Sequence, residues 1–534
     1  MTDEHDSELV NRYETDYEIG EDNIQVLGMD LHNPVFIMST VLIMLFVIGT
    51  LLFPEAANQT FDASKQWSID NFDWLFMLGG NIFVVFCLVL ILSPFGRIRI
   101  GGQAAKPEFS TLSWLAMLFA AGMGIGLMFW SVAEPVGYFT NWAGTPLGVT
   151  AGTPEAAELA MGATMYHWGL HPWAIYAVVG LSLAFFAFNC DMPLTIRSTF
   201  YPLFGERVWG TIGNLIDTIA VLATIFGLAT SLGFGAQQAA GGLSFLFGID
   251  PGILTQLTII TAVTLVAVGS VVRGLDGGVK LLSNINISLA GLLMVFVIIA
   301  GSTSLILNGI GTTLVSYMAN ILPLSNFVGR EDQSFYHSWT IFYWAWWISW
   351  SPFVGMFIAR ISKGRTVRQF LFSVLIVPTL ITTVWMSTFG GNGIAQVKNG
   401  IGALADGITN SSMTLFHMLD SMPYGHITSF IAIVLVLVFF ITSSDSGSLV
   451  IDSITAGGKI HVPVGQRVYW AVMEGIIAGT LLFGGGSDAL GALQAAAITV
   501  GLPFTLVLLA MCISLFMGLL ATHKVLKSEL AKSA

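Results

Sequence analysis

Apolar segments of about membrane-spanning length recur twelve times along this chain, at 34–53, 74–94, 112–134, 164–188, 212–240, 252–272, 282–307, 335–359, 370–390, 425–447, 468–485 and 498–521. About 20 predominantly apolar residues cross the hydrocarbon layer as a helix. Inside that layer each backbone N–H and C=O has to be satisfied within its own segment, so segments of this length are expected to be helical. The chain therefore reads as an all-α integral membrane protein with twelve transmembrane helices. Only 10% of its residues are charged and its mean hydropathy is +0.78, far from a soluble domain. A further stretch, 309–327, is too short and too mixed to span, and reads as a helix lying along the interface or between protomers.

Charge placement sets the expected orientation. With both termini cytoplasmic, Lys65, Arg330 and Lys398 face outward and the other 17 of the 20 basic residues face inward, a strong positive-inside bias. Residues 1–32 are expected to be an acidic cytoplasmic tail, solvated and disordered, in which Arg12 is the one basic residue. The twelve-helix domain occupies 33–522, and 523–534 form a short cytoplasmic tail. The N-terminus lacks the basic region of a signal peptide, so the first span is expected to be retained.

Several function classes drop out. No Walker-type phosphate loop is present, which argues against a self-contained ATP-driven pump. No ring of charged or carbonyl filter residues marks a channel, and no nucleophile–base pair or metal set marks an enzyme. Cys87, Cys190 and Cys512 lie in or beside spans without metal or disulfide spacing and read as packing residues. The acidic balance gives no reason to expect nucleic-acid binding. A secondary transporter remains, without a cofactor.

Three stretches carry the chemistry. In the third segment, Gly122, Gly124 and Gly126 alternate and do not share one helical face. Close packing through small residues explains that spacing less well than local unwinding, which frees backbone groups for a ligand or ion. In the eighth, Trp339, Trp344, Trp346, Trp347 and Trp350 precede Pro352, with Trp346, Trp347 and Trp350 on one face. The fourth offers Trp168, Trp173 and Tyr176, which share a face if the helix is continuous. Mid-membrane aromatic faces with almost no acid nearby suit a bulky cation such as a quaternary ammonium group, which has no hydrogen bond to donate. Belt or packing roles are the alternative, chiefly for Trp339 and Trp344.

The tenth segment supplies Phe439-Phe-Ile-Thr-Ser-Ser-Asp-Ser-Gly-Ser448. Most such hydroxyls bond back to their own helix, yet hydroxyl and carbonyl oxygens also suit Na⁺. Asp445, an acid within a span, is either an ion ligand or a partner for a basic residue such as Arg360. His167 and His171 have i,i+4 spacing without a third ligand and read as ordinary polar contacts.

Taken together, Gly-Met-Gly-Ile-Gly-Leu-Met-Phe-Trp at 122–130, the Trp168/Trp173/Tyr176 helix and Trp344-Ala-Trp-Trp-Ile-Ser-Trp-Ser-Pro352 resemble the betaine/carnitine/choline transporter family over about residues 30–520. The resemblance implies a leucine-transporter-like five-plus-five inverted repeat, helices 3–7 and 8–12, with two peripheral N-terminal helices. It implies a homotrimer in the bacterial inner membrane, among lipids, moving trimethylammonium-type solutes by alternating access. On matching positions, Trp168, Trp173, Tyr176 and Trp347 form the cage, and Trp346 and Trp350 line the gate. Gly122, Met123, Gly124 and Gly126, with Ser231, meet the substrate carboxylate. A sodium site draws on Ala120, Met123, Phe439, Thr442 and Ser443. A second one, near Thr224 and Phe353, is weakened by Leu228, where a second hydroxyl would be expected.

Family members driven by protons tend to carry an acid at the last glycine of the motif, where this chain has Gly126. Exchangers replace the ion with a basic side chain, yet segments 112–134, 212–240, 282–307 and 425–447 contain no Lys or Arg. Both points favour Na⁺ symport of a glycine-betaine-like compatible solute over a proton-coupled or exchanging choline or carnitine carrier.

Overall fold

The computed structural model describes residues 13, 15–122, 124–273 and 280–533. The longer helices are, in chain order, α1 Asn33–Leu52, α2 Pro54–Leu92, α3 Thr111–Gly122, α4 Ile125–Thr140, α5 Pro154–Trp168, α6 Leu170–Asn189, α7 Thr211–Phe247 and α8 Ile253–Arg273. They continue with α9 Lys280–Ala300, α10 Thr303–Ser325, α11 Ile341–Arg360, α12 Val367–Asn399, α13 Gly425–Thr455, α14 Val464–Gly485 and α15 Ala489–Ser533.

Ten stretches among the described residues are long and apolar enough to cross a membrane. That set treats 464–528 as one stretch, although α14 and α15 are separated by a turn at Gly486–Asp488. It omits the third segment, which is broken into α3 and α4, and α11, whose tryptophans lower its hydropathy. It includes α10. Counting the broken third segment, α11 and both α14 and α15 gives the twelve spans expected and, in addition, α10. Helix α10 itself runs 303–325, longer than the 309–327 stretch suggested, and by length and composition it too is sufficient to cross.

Helix α11 is the hub. All of Ile341–Met356 is buried, so this helix is enclosed by protein on every side and its tryptophans do not form an interfacial belt. Small residues on α11 itself and on two neighbours make that enclosure possible. A Cβ at Gly355 would meet Val179 Cγ1 at 2.6 Å, so α6 and α11 cross almost backbone to backbone. A Cβ at Gly227 of α7 would meet Ser349 Cβ at 3.0 Å, and one at Gly501 of α15 would meet the Ala345 carbonyl at 2.9 Å. A proline inside a helix usually kinks or breaks it, yet Pro352 lies within α11 without interrupting it. A π turn at Tyr336–Thr340 leads into the helix. Helix α1 lies outside this hub, burying Val35, Phe36, Ser39, Ile43 and Val47 along one stripe and exposing Leu45 and Leu52, whereas α2 packs on α11, where a Cβ at Gly80 would meet Trp344 Nε1 at 2.9 Å.

The acidic leader departs from expectation. Residues 23–32 fold into an antiparallel hairpin, β1 Asn23–Val26 with β2 Met29–His32, in the register Asn23↔His32. It is docked on the loop after α13: Lys459 Nζ pairs with Asp30 Oδ2 at 2.5 Å, and Asn23 Nδ2 donates to the Ala456 carbonyl at 3.0 Å. Tyr17 stacks on Trp209 at 4.3 Å. Charge complementarity to Lys459 and these aromatic contacts hold a segment that composition alone would leave in solvent.

Candidate functional site

The aromatic cluster forms where α5, α6 and α11 meet. Helix α5 ends at Trp168 because the chain breaks at Gly169, where φ is −101° and ψ is −125°. A Cβ there would meet the Met165 carbonyl at 2.6 Å, so the position favours glycine. Trp168 thus sits on one helix and Trp173 and Tyr176 on the next, and the single-helix face expected for the three does not exist. The break brings them together all the same. Ring centroids lie 4.8 Å apart for Trp168 and Trp347, 6.3 Å for Tyr176 and Trp347, and 5.6 Å for Trp173 and Tyr176. Interplanar angles of 71°, 80° and 87° make each contact edge-to-face. All four rings are buried.

Trp346 stacks on Trp347 at 4.7 Å and 15°, and its Nε1–H donates to Ser231 Oγ at 3.2 Å. Ser231, expected at a substrate carboxylate, is engaged by Trp346 and itself donates to the Gly227 carbonyl at 3.4 Å. Trp350 Nε1–H donates to that same carbonyl at 3.1 Å. One turn of α7 therefore anchors both indoles.

The glycine spacing predicts unwinding, and α3 does end at Gly122 before α4 starts at Ile125. Gly124 is extended, with φ −153° and ψ −174°. Met123 lies outside the described residues, and of Ala120 and Gly122 only the helical backbone is described. Gly126 is where the tryptophans converge. A Cβ there would meet Trp346 Cη2 at 2.6 Å and Trp168 Cη2 at 2.9 Å. One at Gly124 would meet Trp350 Cη2 at 3.2 Å. In this conformation the glycines give three indoles their space.

Phe439, Thr442 and Ser443 of α13 share a cavity of about 120 Å³ with Trp350 and Phe353 of α11 and Asn286 of α9. The cavity begins one turn beyond Trp347 along α11. Thr442 Oγ1 donates to the carbonyls of Val438 and Phe439, at 3.0 and 3.2 Å, which leaves its oxygen lone pairs free. Thr224 stands apart from this cavity and bonds back to the Ala220 carbonyl at 2.7 Å. Leu228 packs so tightly on α13 that a Cβ at Gly447 would collide with its Cδ1. Asp445 accepts from Ser270 Oγ of α8 at 2.5 Å, the partner the structure provides in place of Arg360.

The expectation of almost no acid near the aromatic wall is wrong. Glu134 of α4 is fully buried, and its carboxylate accepts from Trp168 Nε1–H at 2.6 Å and Tyr138 Oη–H at 2.8 Å. Tyr343 Oη–H donates to it as well, and His167 Nδ1 lies at 2.9 Å. The signal was present: an acid within an apolar segment, four residues after Trp130. His167 and His171 make polar contacts as expected, His171 Nε2 lying 3.2 Å from Asn81 Oδ1.

The sequence profile of the betaine/carnitine/choline family of transporters matches residues 34–524. The chain is 62% identical over 507 residues to glycine betaine transporter 1 of Vibrio parahaemolyticus, covering 95% of this chain and 97% of that one. It is 57% identical to a glycine betaine/proline/choline/ectoine transporter of the same organism, over 95% of this chain and 90% of the other. It is 43% identical to the glycine betaine transporter OpuD of Bacillus subtilis, over 90% and 93% of the two chains.

Proposed function

The chain belongs to the betaine/carnitine/choline transporter family, and we propose that it imports glycine betaine or a close zwitterionic relative by Na⁺ symport. The observation that carries this reading is the meeting of Trp168, Trp173, Tyr176 and Trp347 from three helices inside the protein. A trimethylammonium group offers no N–H, so π faces attract it as well as any hydrogen-bond acceptor would, each contact contributing about 0.5–2 kcal/mol. The names of the three relatives given above each include glycine betaine, which supports the same solute class.

The substrate's carboxylate would meet backbone N–H groups where α3 gives way to α4, since an unwound stretch and a following helix N-terminus both favour an anion. Na⁺ would be held by Thr442 and Ser443 with main-chain carbonyls, the Thr442 hydroxyl accepting an ion while donating along its own helix. Unwound third-helix backbone on one side and α13 hydroxyls on the other make ion and substrate share one moving boundary. Shared occupancy is how symport couples, through alternating access between two five-helix blocks. Cytoplasmic termini and a trimeric assembly complete the proposal.

The test is a competition panel. Labelled glycine betaine bound to the purified protein is challenged with choline, carnitine, ectoine, proline and dimethylsulfoniopropionate. Displacement by onium zwitterions at the lowest concentrations supports the reading. Preferential displacement by proline or ectoine, which lack a methylated onium group, contradicts it.

A further inference from the structure

We propose that Glu134 is a positioning residue for the aromatic cage and also supplies negative charge behind it, so that the onium group is held by rings backed by a buried carboxylate. The inference rests on the onium reading of the cage. It starts from hydrogen-bond stoichiometry. Oε2 accepts from Trp168 Nε1–H at 2.6 Å and from the Tyr343 hydroxyl, while Oε1 accepts from the Tyr138 hydroxyl at 2.8 Å and lies 2.9 Å from His167 Nδ1. His167 Nε2 lies 2.9 Å from Thr340 Oγ1, and its Nδ1 lies 2.9 Å from the Tyr138 hydroxyl as well as from Oε1. Three donors, with the His167 ring beside them, thus converge on two oxygens. An ionised carboxylate, acceptor-only with about four lone-pair sites, matches that set.

Orientation follows first. Tyr343 stacks on Trp347 at 5.7 Å and 24°, and Trp168 meets Trp347 edge-on at 4.8 Å. Glu134 therefore fixes two of the rings that flank Trp347, and the main-chain break at Gly169 frees Trp168 to reach it. Charge follows second. No Lys or Arg forms an ion pair with Glu134 among the described residues. A hydrogen bond from an indole N–H to a carboxylate pushes electron density into the ring, which deepens the negative face that attracts a cation. In a site this dry, the carboxylate's field also reaches farther than it would in water.

A purely structural role would weaken every ligand alike, and that separates the two readings. The probe pair is glycine betaine and 3,3-dimethylbutanoate, which has the same shape with carbon in place of the charged nitrogen. Equilibrium binding of labelled glycine betaine, and its displacement by 3,3-dimethylbutanoate, is measured on the purified full-length protein. Glu134→Gln is expected to weaken glycine betaine about tenfold while 3,3-dimethylbutanoate changes about twofold or less, and Glu134→Asp to keep most of the preference. Equal losses for both ligands, or no loss, overturn the proposal. If wild type itself binds no glycine betaine, the onium reading has failed, whatever the variants do. Should Glu134→Gln yield no folded protein, Tyr343→Phe removes one donor to the carboxylate without removing a ring. A several-fold loss of betaine affinity there supports the proposal, and unchanged affinity overturns it.

Discussion

Trp347 Nε1–H donates to the main-chain carbonyl of His167 at 2.9 Å. That carbonyl is available because α5 stops at Trp168 and α6 restarts after Gly169, leaving the last carbonyls of α5 without intrahelical partners. The central ring of α11 is thus fixed by the same break that separates Trp168 from Trp173 and Tyr176.

Trp347→Leu should weaken substrate binding by roughly 10–100-fold, since it removes one ring face and the edge contacts to Trp168 and Tyr176. Trp347→Phe should fall between, keeping a face but losing the bond to His167. Half-saturation for labelled betaine uptake measures both, with membrane insertion checked by yield. Unchanged uptake in Trp347→Leu would remove the cage from the account.

Gly126→Ala should abolish or strongly reduce transport. The added methyl would lie 2.6 Å from Trp346 and 2.9 Å from Trp168, and overpacking of this kind costs about 1–3 kcal/mol. Gly124→Ala meets only the far edge of Trp350, at 3.2 Å, and should be milder. Thermal unfolding and uptake of the two variants give the ranking.

Much of this was legible in the sequence, and the failures share a cause. The spans follow from apolar length, and the unwound third segment from three glycines at spacing two. What the sequence hides is what neighbours decide. Gly169 stands at the break between two helices, where a Cβ would lie 2.9 Å from the Tyr317 hydroxyl of α10, a neighbour that no local pattern announces. The hairpin at 23–32 forms because Lys459, some 430 residues away, supplies a counter-charge. Glu134 was visible as an acid in a span, but Trp168 and Tyr343, which donate to it, come from α5 and α11. Long-range partners, rather than local propensity, decide all three.

Thr442→Ala and Ser443→Ala should raise the Na⁺ concentration for half-maximal uptake, because both line the cavity shared with Phe353. Thr224→Ala should leave it nearly unchanged, since Thr224 bonds to its own helix away from that cavity. A Na⁺ titration of betaine uptake separates the three. A large shift with Thr224→Ala alone would move the ion site to α7.

Docking of the N-terminal hairpin should weaken in mild acid. His32 is buried, its ring nitrogens lack hydrogen-bond partners, and burial followed by the charge of Arg197 lowers its pKa from 6.5 to about 4. The folded value lies below the unfolded one, so protonation favours the undocked chain. The stability tied to neutral His32 is complete above about pH 6.5 and is lost as pH falls toward 4, up to about 3 kcal/mol. Hydrogen-exchange protection factors for 23–32 should drop between pH 7 and 5, and His32→Gln should flatten that dependence. Equal protection at both pH values would show that His32 does not govern docking.

The most direct measurement is uptake of labelled glycine betaine into proteoliposomes under an inward Na⁺ gradient, compared with an equal K⁺ gradient. Saturable accumulation above the external concentration with Na⁺, and none with K⁺, is the predicted result. Accumulation that is the same without Na⁺ would contradict it.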